Sequence, residues 1–187
     1  DNPEKDWTKT KTVLDFKNKW MDSSITKNTT ERQNMMQALV TSAQQESGPG
    51  DISFIFQYMK FLDPTSVVRE GEFATSKNCC FTGAVKIDPA ANAGGVPENV
   101  RNLFNKIQAG EILPDSVKED FLRTASDLYL IQIDNYMNQY NTEKAIAERM
   151  FGADEVQNAI PMLTIDAKLI EGIKNGNKFD NYLESIK

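Results

Sequence analysis

Residues 50–74 read Gly50-Asp-Ile-Ser-Phe-Ile-Phe-Gln-Tyr-Met-Lys-Phe-Leu-Asp-Pro-Thr-Ser-Val-Val-Arg-Glu-Gly-Glu-Phe-Ala74. Phe54, Ile55, Tyr58, Met59, Phe61 and Leu62 would cover much of the circumference of a helix running from about Ile52 to Leu62, capped by Asp51. A helix apolar on so many sides belongs at the centre of its domain. Asp63-Pro64 then reads as an N-cap with proline at the first helical position, restarting a helix through Val67, Val68 and Phe73. The stretch holds anchors and charges but no recognisable catalytic group. It points to assembly rather than chemistry.

The flanking sequence extends the helical reading. Trp7, Val13, Leu14, Phe16, Trp20 and Met21 recur at roughly helical spacing, predicting a first helix over 6–27. Asn28 with Glu31 resembles a capping box for a second helix to about Gln45, with Met35, Met36, Leu39, Val40 and Ala43 on its apolar face. Ser47-Gly-Pro-Gly50 breaks it. Further on, Val100, Leu103, Phe104 and Ile107 follow the i, i+3, i+4, i+7 pattern, and Gly110 is a natural stop. Leu113-Pro114-Asp115 opens the longest tract, which ends near Phe151-Gly152. At 1.5 Å per residue it would span roughly 50 Å, so it should project beyond the domain or break near Asn138–Asn141.

Residues 77–95 differ in character. Cys79, Cys80, Phe81, Val85 and Ile87 lie among small and turn-forming residues and suggest an irregular loop or a short β-hairpin. So long a connection in a compact domain is usually functional, which makes these five residues a candidate interaction loop. The tail from Ala153 holds short helices split by Pro161, Gly172 and Asn175-Gly176, with Asp154, Asp166 and Asp180 as candidate caps. The expected fold is therefore all-α: a multi-helix bundle over 1–151 with one long helix and an insertion loop at 76–95, followed by a helical satellite over 152–187.

Composition narrows the function. The chain has 187 residues, with 40% hydrophobic and 26% charged, enough for one core-bearing domain or two small ones. Its net charge of −6 opposes phosphate backbones, so no direct nucleic-acid binding is expected. Lys5, Lys9, Lys11, Lys17 and Lys19 alternate with acids and read as a solvated helix face. No run of eighteen apolar residues predicts a membrane span. No basic region leads into an apolar run, so no signal peptide is expected in these residues, and a start at Asp1 without Met is what a fragment or a processed chain would show.

There is no histidine, which removes the commonest general base and the commonest zinc ligand. Cys79 and Cys80 are adjacent and suit neither a disulfide framework nor, without further ligands, a zinc site. Gly94-Gly95 lacks the lysine or glycine spacing of a phosphate loop. Arg69, Glu70 and Glu72 form the sharpest charge cluster. On one helix turn an ion pair that orients the turn explains them more simply than an acid/base pair. No catalytic, cofactor or metal residue is expected.

The words Tyr58-Met-Lys-Phe-Leu-Asp-Pro-Thr-Ser-Val-Val-Arg-Glu-Gly-Glu-Phe-Ala-Thr75 resemble a segment of tailed-phage virion proteins. These are large internal or tail-associated polypeptides, some with a peptidoglycan-cleaving module elsewhere in the chain. The similarity runs from about Gln33 to Phe121 and includes Gly95-Val-Pro-Glu and Asn102-Leu-Phe-Asn-Lys. In such proteins the Phe-Ala-Thr element leads almost directly into Gly-Val-Pro, so Lys77–Ala91 look like an insertion here. The resemblance implies a helical structural or ejection module in which Asp63, Pro64, Arg69, Glu70, Glu72 and Phe73 are motif residues and no catalytic group is carried over. Other virion proteins, or further copies of this chain, would be its partners. It would reside in the phage particle, or in the host cytoplasm during assembly. The rival reading is a lytic enzyme with Glu70 or Glu72 as its acid, held in an apolar pocket.

Overall fold

The computed structural model describes residues 3–62, 102–103, 105–107 and 109–186. Those residues are all-α, with no strand among them. The helices are α1 (Pro3–Met21), α2 (Ser24–Ala43), α3 (Gly48–Leu62), α4 (Asp115–Phe151), α5 (Val156–Ala159), α6 (Ala167–Lys174) and α7 (Asp180–Ser185). Asp63, Pro64, Arg69, Glu70, Glu72 and Phe73 lie outside the described residues, as does the 77–95 stretch with its hairpin alternative.

Contacts along α4 fix the directions of its neighbours. On α2, Thr29, Gln33 and Ala43 meet Gln132, Tyr129 and Lys118 respectively, so α2 runs antiparallel to α4. Ser42 meets Ser53 near the connecting turn while Arg32 reaches Phe61 at the far end, so α2 and α3 are antiparallel too. On α1, Phe16 packs edge-on to Phe151 and Trp20 lies against Tyr136 and Tyr140. That makes α1 antiparallel to the second half of α4. Two hydrophobic cores result. The larger gathers Met36, Leu39, Phe54, Ile55, Phe61 and Tyr129, together with the tail residues Leu169, Ile173, Phe179 and Tyr182. The smaller gathers Val13, Trp20, Tyr136, Tyr140, Ala159 and Ile160. Helix α4 contributes to both.

Several boundaries differ from expectation, each for a physical reason. The first two helices separate at Asp22-Ser23 rather than at Asn28. Ser23 has extended backbone, its hydroxyl accepts from Thr26 N and donates to Trp20 O at 2.6 Å. The threonines that follow bond back to carbonyls four residues earlier, Thr29 to Ile25 and Thr30 to Thr26, so their hydroxyls are satisfied inside the helix. Helix α3 begins at Gly48, four residues before Ile52. Pro49 is tolerated in the first turn, where an N–H has no helical partner, and Ser47 Oγ accepts from Gly50 N as the cap. Asp51 is thereby freed from capping.

Helix α4 continues without interruption for 37 residues, about 55 Å, through Asn138–Asn141. Its second half is neither broken nor bare, because Tyr136, Tyr140 and Ala147 are buried under α1 and the 156–160 segment. It ends at Gly152 as expected. Gly110 also ends its helical turn as expected, with φ +95°, Gly110 N bonded to Ile107 O and Glu111 N to Lys106 O.

In the tail, Asp166 caps α6 by accepting from Lys168 N and Leu169 N. Asp154 and Asp180 do not cap: Glu155 and Phe179 precede α5 and α7. Gly172 is no break either. It lies inside α6, where an added Cβ would come within 2.5 Å of the Phe179 ring, so a hydrogen is all that fits.

Candidate functional site

Cys79, Cys80, Phe81, Val85 and Ile87, like the Arg69–Glu72 cluster, belong to the segment outside the described residues. The described chain offers one buried and one partly buried polar joint, and two exposed helix faces.

The first joint follows from the early start of α3. Asp51 is fully buried, and its Oδ2 accepts from Leu113 N at 2.8 Å, sixty-two residues away in sequence. Its Oδ1 accepts from no neutral donor and is compensated by the Lys118 ammonium 2.7 Å away. Lys118 is itself buried and also donates to Ala43 O at 3.5 Å. A charge taken out of water is tolerated only when paired and hydrogen-bonded, and here both conditions hold. One carboxylate, with its lysine partner, thus fastens the start of α3, the end of α2, the entry to α4 and the connecting backbone at Leu113. Neither partner is reachable by a substrate, so the pair is a joint and not a catalytic centre.

The second joint ties the tail to α2 and α4. Gln33 Oε1 accepts from both Tyr129 Oη (3.0 Å) and Asp166 N (3.2 Å), while its amide donates to Thr164 O. Gln37 donates to Asp166 Oδ2 at 3.2 Å. Burial, helped by the negative charge of Asp166, pushes the Tyr129 phenol far above its usual value. Burial also raises Tyr58, Tyr136 and Tyr182; hydrogen bonds from Thr124 and Leu163 partly oppose it at the first two, and Asp166 adds to it at the third.

These shifts predict an alkaline limit. A phenol that ionises less readily when folded adds stability in full below its unfolded value, about 10, and loses it as pH rises through the folded value. Denaturation midpoints should therefore hold level up to about pH 10 and decline above it, with Tyr129→Phe flattening the decline. Phenolate absorbance reaching the full complement of five tyrosines while helical ellipticity persists would contradict this burial.

The concavities seen among the described residues are either small or open to solvent. A cleft of about 100 Å³ lies between α1, the start of α2 and α4, lined by Phe16, Trp20, Ser23, Ile25, Gln139 and Glu143 among others. It is smaller than the roughly 300–1,000 Å³ typical of ligand pockets. Open polar depressions flank α6 and α7, one of them at Asn175, Lys178, Asp180 and Asn181. Among the described residues, no group of three or more His, Cys, Asp or Glu is placed to hold a metal ion. No described helix is long and apolar enough to cross a membrane.

The exposed faces are more distinctive. On α1, Val13, Phe16 and Trp20 turn inward, whereas Trp7 and Leu14 are 72% and 52% exposed and Met21 is exposed beside them. On α4, Ile131 is 56% exposed between the exposed carboxylates of Asp127 and Asp134. Sequence reasoning merged the two faces of α1 into one. It flagged Asp51 only as a cap, passed over the roles of Lys118 and Gln33, and counted Ile131 in the apolar stripe of the long helix, where it is exposed. No protein-family model, curated protein or solved structure matches the chain.

Proposed function

We propose that this chain is a non-enzymatic helical module of a tailed-phage virion or ejection protein, its helices bundled around α4, and that it works through protein–protein contacts. The observation that carries the reading is the pair of exposed, charge-bordered apolar faces on α1 and α4. Apolar side chains left in water along a helix commonly mark a contact surface. The words of the 58–75 motif add the virion context, and the acidic composition disfavours a direct role on nucleic acid. The reading implies a location in the phage particle, or in the host cytoplasm during assembly, with other virion proteins as partners.

Two measurements test it. Mass spectrometry of particles purified from the strain that encodes the chain should recover its peptides. Their absence from intact particles would remove the virion assignment. Incubation of the pure protein with peptidoglycan should release no muropeptides. Release that disappears on Glu70→Gln or Glu72→Gln would replace the contact module with a lytic enzyme.

A further inference from the structure

The outer face of α1 has a definite chemistry. Trp7, Leu14 and Met21 recur every seven residues and so share one side of the helix over about 21 Å. Lys11 and Lys17, both exposed, stand three residues before and after Leu14 and border it on either side. Of the acids beside this face, Asp15 is exposed one helical turn after Lys11, and Asp22 at its end is engaged by Lys27 at 2.9 Å. On a chain of net charge −6, this is a local apolar stripe flanked by two lysines.

Helix α4 carries the counterpart. Asp127, Ile131 and Asp134 follow i, i+4, i+7 spacing, and Leu128 and Thr124 extend the same exposed surface. Asp120, further along this face, is already engaged by Arg123, which leaves Asp127 and Asp134 as its acidic edge. Along their axes the two carboxylates are about 10 Å apart and the two lysines of α1 about 9 Å apart. Lysine stems are long enough to swing across an apolar contact and keep the ammonium on a carboxylate.

We propose that the chain self-associates by seating the Trp7–Leu14–Met21 face of α1 in one copy against the Asp127–Ile131–Asp134 face of α4 in another. Leu14 would meet Ile131, and Lys11 and Lys17 would meet Asp127 and Asp134. The occupant is a second copy because this one chain carries both the lysine-flanked apolar stripe and the acid-edged apolar face that would receive it. Pairing α1 with α1 is disfavoured, since in an antiparallel pair centred on Leu14 each Lys11 would face a Lys17. The contact is small for a stable interface, so association is expected to be weak and dependent on salt unless a two-fold axis repeats it. The inference deepens the reading of the chain as a contact module by naming a partner.

Sedimentation velocity over a concentration series at low ionic strength tests it on the full chain. The wild type should associate reversibly. Lys11→Glu with Lys17→Glu should weaken association more than about tenfold, as should Asp127→Lys with Asp134→Lys, because like charges then face one another. An equimolar mixture of the two variants should associate again, since each altered face then meets its opposite. All four positions are exposed, so the variants should melt as the wild type does. A wild type that stays monomeric into the millimolar range overturns the proposal, as does a mixture that fails to recover. A Trp7 emission shift with anionic vesicles in a chain that does not self-associate would assign the α1 face to a lipid surface, and it too overturns the proposal. None of these failures touches the virion reading, which stands or falls on the particle and peptidoglycan measurements.

Discussion

A Lys118→Met chain should lose about 3–5 kcal/mol of folding stability, a large share of the roughly 5–15 kcal/mol that holds a typical domain together. Methionine nearly matches the lysine stem in volume, so the loss measures charge rather than a cavity. The Asp51 carboxylate would keep its bond from Leu113 N but have nothing against Oδ1, at a site with no exposure to water. Asp51→Asn in the same chain should recover most of the loss, because the amide oxygen still accepts from Leu113 N and no buried charge remains. The coupling between the two substitutions, from a urea-unfolding cycle of wild type, both singles and the double, should exceed the few tenths of a kcal/mol seen for independent sites. A Lys118→Met chain within about half a kcal/mol of wild type would mean that the ammonium and carboxylate are not buried together.

The helical periodicity that revealed α4 could not reveal that joint. Val117, Phe121, Ala125 and Leu128 set a stripe that any reader of spacing would find, and Lys118 looks like one more solvated lysine beside it. Its partner is far upstream, and only the packing of α3 on α4 puts them together. Local signals worked where one residue settles the matter alone, as at Gly110, Gly152 and Asp166. They failed where two legitimate signals competed. Ser23 and Asn28 are both good caps, and the outcome goes with Trp20, which donates to Pro161 O and is anchored against Tyr136 and Tyr140.

The length of the tract invited a break near Asn138–Asn141, yet Tyr136 and Tyr140 bury enough apolar surface to carry the helix through. Gly172 read as punctuation and is a packing residue. The candidate contact surface was half legible. Lys9, Lys11, Lys17 and Lys19 are exposed as a solvated face requires, but one residue of helix turns the side chain by about 100°, which separates Leu14 from Val13 and Met21 from Trp20. Spacing gives the angle; only a packed neighbour says which side is in.

Phe61→Ala should cost about 3–5 kcal/mol, and the loss should be felt in a core that Phe61 does not touch. The ring is fully buried in the larger core and lies 5.3 Å beneath the Arg32 guanidinium. Truncation removes both the apolar burial and the attraction of the cation for the ring face, the latter worth about 0.5–1 kcal/mol at partly exposed sites. The bond from Arg32 Nη1 to Phe61 O depends on backbone and should survive.

The smaller core has its own reporter. Of the two tryptophans Trp20 is buried there, while Trp7 is largely exposed, so a Trp7→Phe background isolates the Trp20 signal. Because α4 runs through both cores without a break, the loss of one should release the other. The Phe61→Ala change should then shift the Trp20 emission midpoint in urea by as much as it shifts helical ellipticity, in a single transition. If ellipticity falls in two steps, or Trp20 keeps the wild-type midpoint while the larger core is weakened, the two cores melt separately and α4 does not couple them. Coupling of this kind suits a contact module with one exposed face on α1, which packs in the smaller core, and the other on α4, which runs through both. A load on α1 would then be resisted by the whole fold, through Trp20, Tyr136 and the backbone of α4.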